Sequence, residues 1–330
     1  MTEDRVNQPV LDVQDLSVDY NSPTGTVHAL RGVSLKIEQG ETFGVVGESG
    51  SGKSTLALSI ARLLDERVAK YTGGRISLLG VDLLKASRST VNRLRGTGIF
   101  MVFQDPFMSL DPLETVGSQL LEAIAVRMRR SSQRFERQKA VETAIQSLES
   151  VRIGDAKNIM QRYPHQLSGG QNQRVMLAMA VAESPKLLIA DEPTTALDVT
   201  TQGQVLNLLK EIVDETKMSV LYITHDLAVA GSVCHKIAVL YGGLVQEVGP
   251  TREILLSPEH PYTVGLIASI PSKSKKDGSL NAITGSFSWK DAGDKCAFAP
   301  RCPYVHDACL AGTPAQISRG ERLVRCVNYA

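Results

Sequence analysis

No apolar run in this chain approaches the roughly 20 residues needed to span a bilayer; the longest candidates, residues 175–182 and 236–241, fall far short. The N-terminal Met1-Thr2-Glu3-Asp4-Arg5 lacks a basic segment followed by an apolar one, so a secretory leader is not expected. An excess of charge is missing too. A net charge of +1 argues against a dominant polyanion-binding surface, and overall charge therefore does not imply nucleic acid. With 42% hydrophobic and 22% charged residues, the 330-residue chain is an ordinary globular protein, longer than one average domain and able to bury a substantial core. These features place it in the cytoplasm, reaching membranes only through partners.

Against that plain background, Gly47-Glu48-Ser49-Gly50-Ser51-Gly52-Lys53-Ser54 fits G-x-x-x-x-G-K-[ST]. The run follows the apolar stretch Thr42 to Val46 and precedes Thr55-Leu56-Ala57-Leu58-Ser59-Ile60, a strand, loop and helix sequence. Its glycines let backbone N–H groups converge on phosphate oxygens, and the helix that follows aims its positive end at the anion. Lys53 can reach the terminal phosphates and Ser54 can hold magnesium, with Thr55 completing the nucleotide-binding set. Further on, the apolar run Leu187 to Ala190 ends in Asp191 and Glu192, the form of a buried parallel strand that delivers acids at its C-terminal edge. Asp191 would bind magnesium, and Glu192 could polarise an attacking water. Taken alone, Asp-Glu-Pro is also a common way to leave a strand.

Four more pieces stand in one order: Gln104 in Met101-Val102-Phe103-Gln104-Asp105-Pro106, Leu167-Ser168-Gly169-Gly170-Gln171, Thr195-Ala196-Leu197-Asp198, and His225 in Ile223-Thr224-His225-Asp226. With the two motifs above, they make residues 10 to about 250 resemble the ATP-binding subunit of an ABC transporter. That resemblance implies an α/β fold with a P-loop NTPase core, an antiparallel β subdomain and a helical subdomain. It also implies a head-to-tail dimer in which Ser168, Gly169, Gly170 and Gln171 contact nucleotide held by the partner's P-loop. A single loop surrounds only one side of a triphosphate, and donors on the opposite face would compensate transition-state charge. By the same resemblance His225 contacts the γ-phosphate and positions Glu192, while Gln104 senses magnesium and links the site to the helical segment. Asp198 shapes the dimer interface, and is equally suited to capping a helix from Val199. Tyr20 would stack on adenine, although an aromatic is also a good sheet residue there.

Short apolar runs separated by turn residues over 10 to 110 predict the antiparallel β portion, with a hairpin turn or longer loop at 21–25. From Leu113 to Arg162 the spacing becomes helical, giving a helical subdomain over about 113–170. Strands at 187–190 and Ser219 to Thr224 flank a helix from Gln202 to Thr216. Arg127, Arg129, Arg130, Arg134, Arg137 and Lys139 are expected on a solvated helix face, and Lys273, Lys275 and Lys276 in a linker. The nucleotide-binding domain is set at 1–250 and a C-terminal extension at 251–330.

Of five cysteines, Cys296, Cys302, Cys309 and Cys326 fall in that extension, while Cys234 reads as a small core residue. Disulfides are disfavoured in a cytoplasmic chain. Zinc sites usually include a closer pair than C-x5-C-x6-C-x16-C, iron-sulfur clusters accept wider spacing, and free thiols remain the third choice. Pro258 to Thr263, with His260 as a turn residue, and Cys296-Ala297-Phe298-Ala299-Pro300-Arg301-Cys302-Pro303 resemble the tail of oligopeptide and dipeptide permease ATPases. In that subfamily such a tail can carry a structural 4Fe-4S cluster. The resemblance implies ATP and Mg2+ as ligands, a second identical or related ATPase subunit, two integral membrane permease subunits and an extracytoplasmic solute-binding protein, all working at the cytoplasmic face of the inner or plasma membrane. Soluble ABC ATPases of DNA repair or translation typically insert a long coiled coil or carry two nucleotide domains, and this chain does neither. Peptides, nickel, glutathione or oligosaccharides are the solutes open to it.

Overall fold

The computed structural model describes residues 8–23, 25–104, 109–195, 197–270, 283–289 and 293–329. The expected linker at Lys273, Lys275 and Lys276 lies outside them, as do Asp105, Pro106, Thr24 and Ala196. The chain forms two compact units, each from separated stretches: Met1–Leu11, Ile37–Glu41 and Leu78–Leu221 in the first, Asp12–Lys36, Thr42–Ser77 and Tyr222–Ala330 in the second.

The second unit holds most of β1 (Leu11–Ser22), β2 (Gly25–Ile37) and β4 (Ala69–Leu78), with β1 between the other two. Only two residues separate β1 from β2, a link that joins antiparallel neighbours. In its other sheet β3 (Thr42–Val46) runs parallel to β9 (Lys236–Tyr241), which pairs antiparallel with β10 (Leu244–Pro250). All five β3 residues are buried, as expected of a strand covered on both faces. A Cβ on Gly44 would come within 2.9 Å of the Cys234 Sγ, so Cys234 fills the space beside a strand, the core role expected of it. The C-terminal extension adds to this sheet: β12 (Arg322–Val324) pairs with β10, and β11 (Ile317–Arg319) with β12. Helix α1 (Lys53–Ile60) follows β3 and its loop.

The first unit contains β5 (Val81–Asp82), α2 (Arg88–Leu94), β6 (Ile99–Val102) and the helices α3 (Val116–Arg130), α4 (Arg137–Ser150), α5 (Ala156–Ile159), α6 (Gly169–Glu183) and α7 (Val199–Thr216). Thr115 caps α3 by accepting the Ser118 N–H, and Val116, Leu120 and Ile124, four apart, make its buried stripe. Helices α3, α4 and α6 pack on one another. One expectation fails here. Arg127 and Arg130 are not on a solvated face: their guanidiniums turn inward to the Ala182 and Arg95 carbonyls, because α6 ends beneath them. Strand β7 (Leu187–Asp191), fully buried, runs parallel to β6. Strand β8 (Ser219–Thr224) starts in this unit, and α8 (Leu227–Val233), α9 (Thr251–Leu256), α10 (Pro261–Ala268) and α11 (Asp307–Ala311) belong to the second.

Candidate functional site

In the second unit the glycine-rich loop closes tightly between β3 and α1. A Cβ on Gly47 would stand 2.2 Å from the Leu240 carbonyl oxygen, and Gly52, at φ +108°, has the Ala29 carbonyl oxygen 2.6 Å from where its Cβ would be. Neither position admits a side chain. Lys53 is buried and donates to the Gly47 and Glu48 carbonyls at 2.7 and 2.9 Å, so its ammonium lies inside the loop. Ser51 is 2% exposed and its Oγ has no hydrogen-bond partner among the described residues. Ser49, Gly50 and Ser54 are exposed and Thr55 half-buried, leaving the phosphate side of the loop open.

Glu48 behaves differently from its neighbours. Its N–H donates to the Tyr262 hydroxyl at 2.9 Å, and its carboxylate takes a two-pronged bond from Arg301 at 2.6 and 3.0 Å. That amide is already committed and is not directed at a phosphate, unlike the expectation for a nucleotide contact. Tyr262 is fully buried; burial and then the Glu48 charge push its hydroxyl well above the usual range. Arg301 also donates to the Tyr241 hydroxyl at 3.2 Å and to the Thr284 carbonyl at 2.9 Å. Its hydrogen bond with Glu48 is the main reason its guanidinium holds its proton even more firmly than usual. Tyr262 and Arg301 were not among the predicted site residues. Both lie in segments whose sequence marks only the family resemblance, and a contact spanning more than two hundred residues leaves no local signal.

Elsewhere in this unit Tyr20 is half-buried on β1 and His225 exposed just past β8. His260 is not a surface turn residue but a buried N-cap of α10, its Nδ1 accepting the Tyr262 N–H at 3.0 Å. Burial drives its pKa down to about 3, which keeps the ring neutral and able to accept.

The first unit gathers a second group. Asp191 ends β7, 8% exposed, and Glu192 follows at φ 48°, a left-handed conformation costly for a residue with a Cβ. Its Oε2 accepts from Gln104 Nε2 at 3.2 Å and from Thr195 Oγ1 at 3.0 Å, which brings two of the expected site residues together. Ser168 and Gln171 form a capping box at the start of α6: the Ser168 Oγ accepts the Gln171 N–H, and the Gln171 side chain accepts the Ser168 N–H. The serine proton stays available for a ligand. At Gly170 a Cβ would meet the Thr201 methyl at 2.8 Å. Asp198 caps α7 through the Thr200 and Thr201 N–H groups, both at 3.0 Å, and the Thr201 side chain, followed by these backbone bonds, holds its carboxyl below the usual range.

Cys296, Cys309 and Cys326 are buried free thiols and Cys302 is half-buried. Burial raises the thiols at 296, 302 and 326, and the Cys309 sulfur raises each further, so each of the three lies within electrostatic reach of Cys309. Among the described residues no group of three or more His, Cys, Asp or Glu side chains could hold a metal ion. A tetrahedral zinc with Zn–S near 2.3 Å would need sulfurs about 4 Å apart. Among the described residues, neither the zinc nor the iron-sulfur expectation therefore finds a ready-made metal-holding group.

Residues 30–195 match the ABC transporter family, and residues 246–309 match the oligopeptide/dipeptide transporter, C-terminal region. The chain is 43% identical over 325 residues to the probable D,D-dipeptide transport ATP-binding protein DdpD of Escherichia coli, covering 98% of this chain and 97% of that one. It is 42% identical over 307 residues to the probable peptide ABC transporter ATP-binding protein y4tR of Sinorhizobium fredii, covering 92% and 90%. Among solved structures, the ATP-binding cassette MJ0796 in its dimeric post-hydrolysis state with ADP and Pi superposes with TM-score 0.64 at 28% identity, over 73% of this chain and 99% of that one.

Proposed function

The chain belongs to the ATP-binding subunits of ABC transporters that carry the oligopeptide/dipeptide transporter C-terminal region, and from that membership we propose that it hydrolyses ATP to power uptake of short peptides. The observation that carries the reading is the loop around Lys53, an ammonium sheltered among carbonyls where two glycines admit no Cβ. A polyphosphate offers that ammonium better acceptors than the loop's own carbonyls. No helix among the described residues is long and apolar enough to cross a membrane. Two integral membrane permease subunits, fed by an extracytoplasmic solute-binding protein, would supply the peptide path, with this chain at the cytoplasmic face of the inner or plasma membrane.

Two ATPase subunits, identical or related, would clamp two ATP molecules. Gly50 to Thr55 hold the phosphates on one side, and Ser168, Gly169 and Gly170 of the opposing subunit approach from the other. Tyr20 offers its ring to adenine. Ser54, Gln104 and Asp191 would hold Mg2+, which neutralises phosphate charge when bound. Glu192 takes the proton of the attacking water, and His225 orients water and γ-phosphate. The four extension cysteines would hold a 4Fe-4S cluster, a reading supported by their wide C-x5-C-x6-C-x16-C sequence spacing and by the reach of Cys309 to the other three thiols. Residues 1–250 and 251–330 are then the engine and its tail.

Glu192→Gln removes the base but keeps the shape. ATP turnover in the assembled transporter should drop by about 10² or more while nucleotide binding persists. Near-normal turnover in that variant would remove Glu192 from the role.

A further inference from the structure

Glu48 is an anomaly in a loop that must receive a polyanion. It is a carboxylate between Gly47 and Ser49, and a lone negative charge there would oppose every phosphate entering the loop. The charge is not alone. Arg301, with its side chain 6% exposed, meets it in a two-pronged bond, and Tyr262 fixes the same residue by its N–H. The remaining Arg301 donors reach the Tyr241 hydroxyl and the Thr284 and Ile283 carbonyls, so the fork is held in one orientation. Both clamping residues come from the C-terminal extension.

Resting on the ATPase reading above, we propose that Arg301 and Tyr262 are positioning residues for nucleotide binding. They turn Glu48 outward and cancel its charge, so the loop presents only N–H groups and Lys53 to the polyphosphate. The extension thereby becomes part of the nucleotide site without touching the nucleotide. Arg301 lies one residue before Cys302, so whatever orders the four-cysteine segment also orders this clamp.

The charge argument predicts a rescue that a merely structural contact would not give. Titration calorimetry of the full-length chain with Mg·ADP, which one loop can bind, provides the measurement, with thermal melts alongside. Arg301→Gln should weaken binding on the order of tenfold, as one uncompensated charge near a polyanion would. Adding Glu48→Gln should bring the double variant back to within about threefold of wild type, although a second native group has been removed. The deficit of Arg301→Gln should also shrink between about 0.05 and 0.5 M salt, because screening weakens the repulsion. If Arg301→Gln does not fold, Glu48→Gln alone decides: it should bind Mg·ADP at least as tightly as wild type. A double variant no better than Arg301→Gln, or weaker binding by Glu48→Gln alone, overturns the inference. Failure of the wild-type chain to bind Mg·ADP or Mg·ATP would instead strike the ATPase reading itself.

Discussion

Glu183 closes α6, is only 4% exposed, and its Oε2 has no hydrogen-bond partner among the described residues. Burial is the leading cause that lifts its pKa from 4.5 to about 7, with Arg130 and Arg127 acting against it. Because the folded value is raised, the neutral acid is the form the fold prefers. Its contribution is full below about pH 4.5 and is lost as pH climbs through 7. Glu183→Gln mimics the neutral acid at every pH. Wild type and variant should melt alike near pH 5, and by pH 8 the variant should be more stable, by on the order of 3 kcal/mol. Identical melting at both pH values would mean the carboxyl is ionised in the fold throughout. The same residue shows why a charge count is a poor guide to placement. The arginines at 127 and 130 look like a solvated helix face, and only the tertiary approach of α6 reveals what they serve.

Among the elements, α10 depends on a cap that the sequence hides. Proline at its first position pre-sets the backbone, and His260 before it satisfies the Tyr262 N–H with a neutral ring nitrogen. His260→Asn keeps an acceptor at the cap, whereas His260→Leu leaves that amide unpaired. The leucine variant should lose roughly 1–3 kcal/mol by urea unfolding and the asparagine variant clearly less; equal losses would show that ring packing matters and the cap does not. Most elements were legible beforehand. Strands β3 and β8 begin and end where their apolar runs do, since strands covered on both faces have no polar alternation to blur them. Helix α7 starts at Val199, as the capping reading of Asp198 has it, three residues before the Gln202 that apolar spacing gives. The glycine loop and the Asp191-Glu192 pair were readable because phosphate and magnesium chemistry demands particular residues in sequence order. The Glu48, Tyr262 and Arg301 constellation was not, because it joins side chains that only folding brings together.

For the whole molecule, the question is what makes a small extension firm enough to hold Arg301 against Glu48. Its covalent span from Cys296 to Cys326 contains only two three-residue strands, two one-turn 3-10 or helical segments and few large apolar side chains, little for a core of its own. Strand pairing of β12 with β10 anchors one end. Arg322 anchors it again, lying 3.6 Å from the fully buried Glu247 and 2.7 Å from Glu253. The loop bearing Arg301 lies at the other end, where burial, and then a neighbouring sulfur, raises three of the four thiols and disfavours their thiolate forms in the absence of a metal. The proposed cluster's cationic iron-sulfide core would stabilise the thiolates that burial disfavours and tie the loop to β12 through Cys326. Chain purified without oxygen should accordingly carry roughly four iron and four sulfide per molecule and be brown. Stripping the iron with a chelator should speed amide exchange across 296–326 and at Glu48, while α3 and α4 in the first unit exchange as before. Iron-free protein whose thiols all titrate freely, with the same exchange pattern before and after chelator, would leave strand pairing and the Arg322 network as the only supports of the clamp.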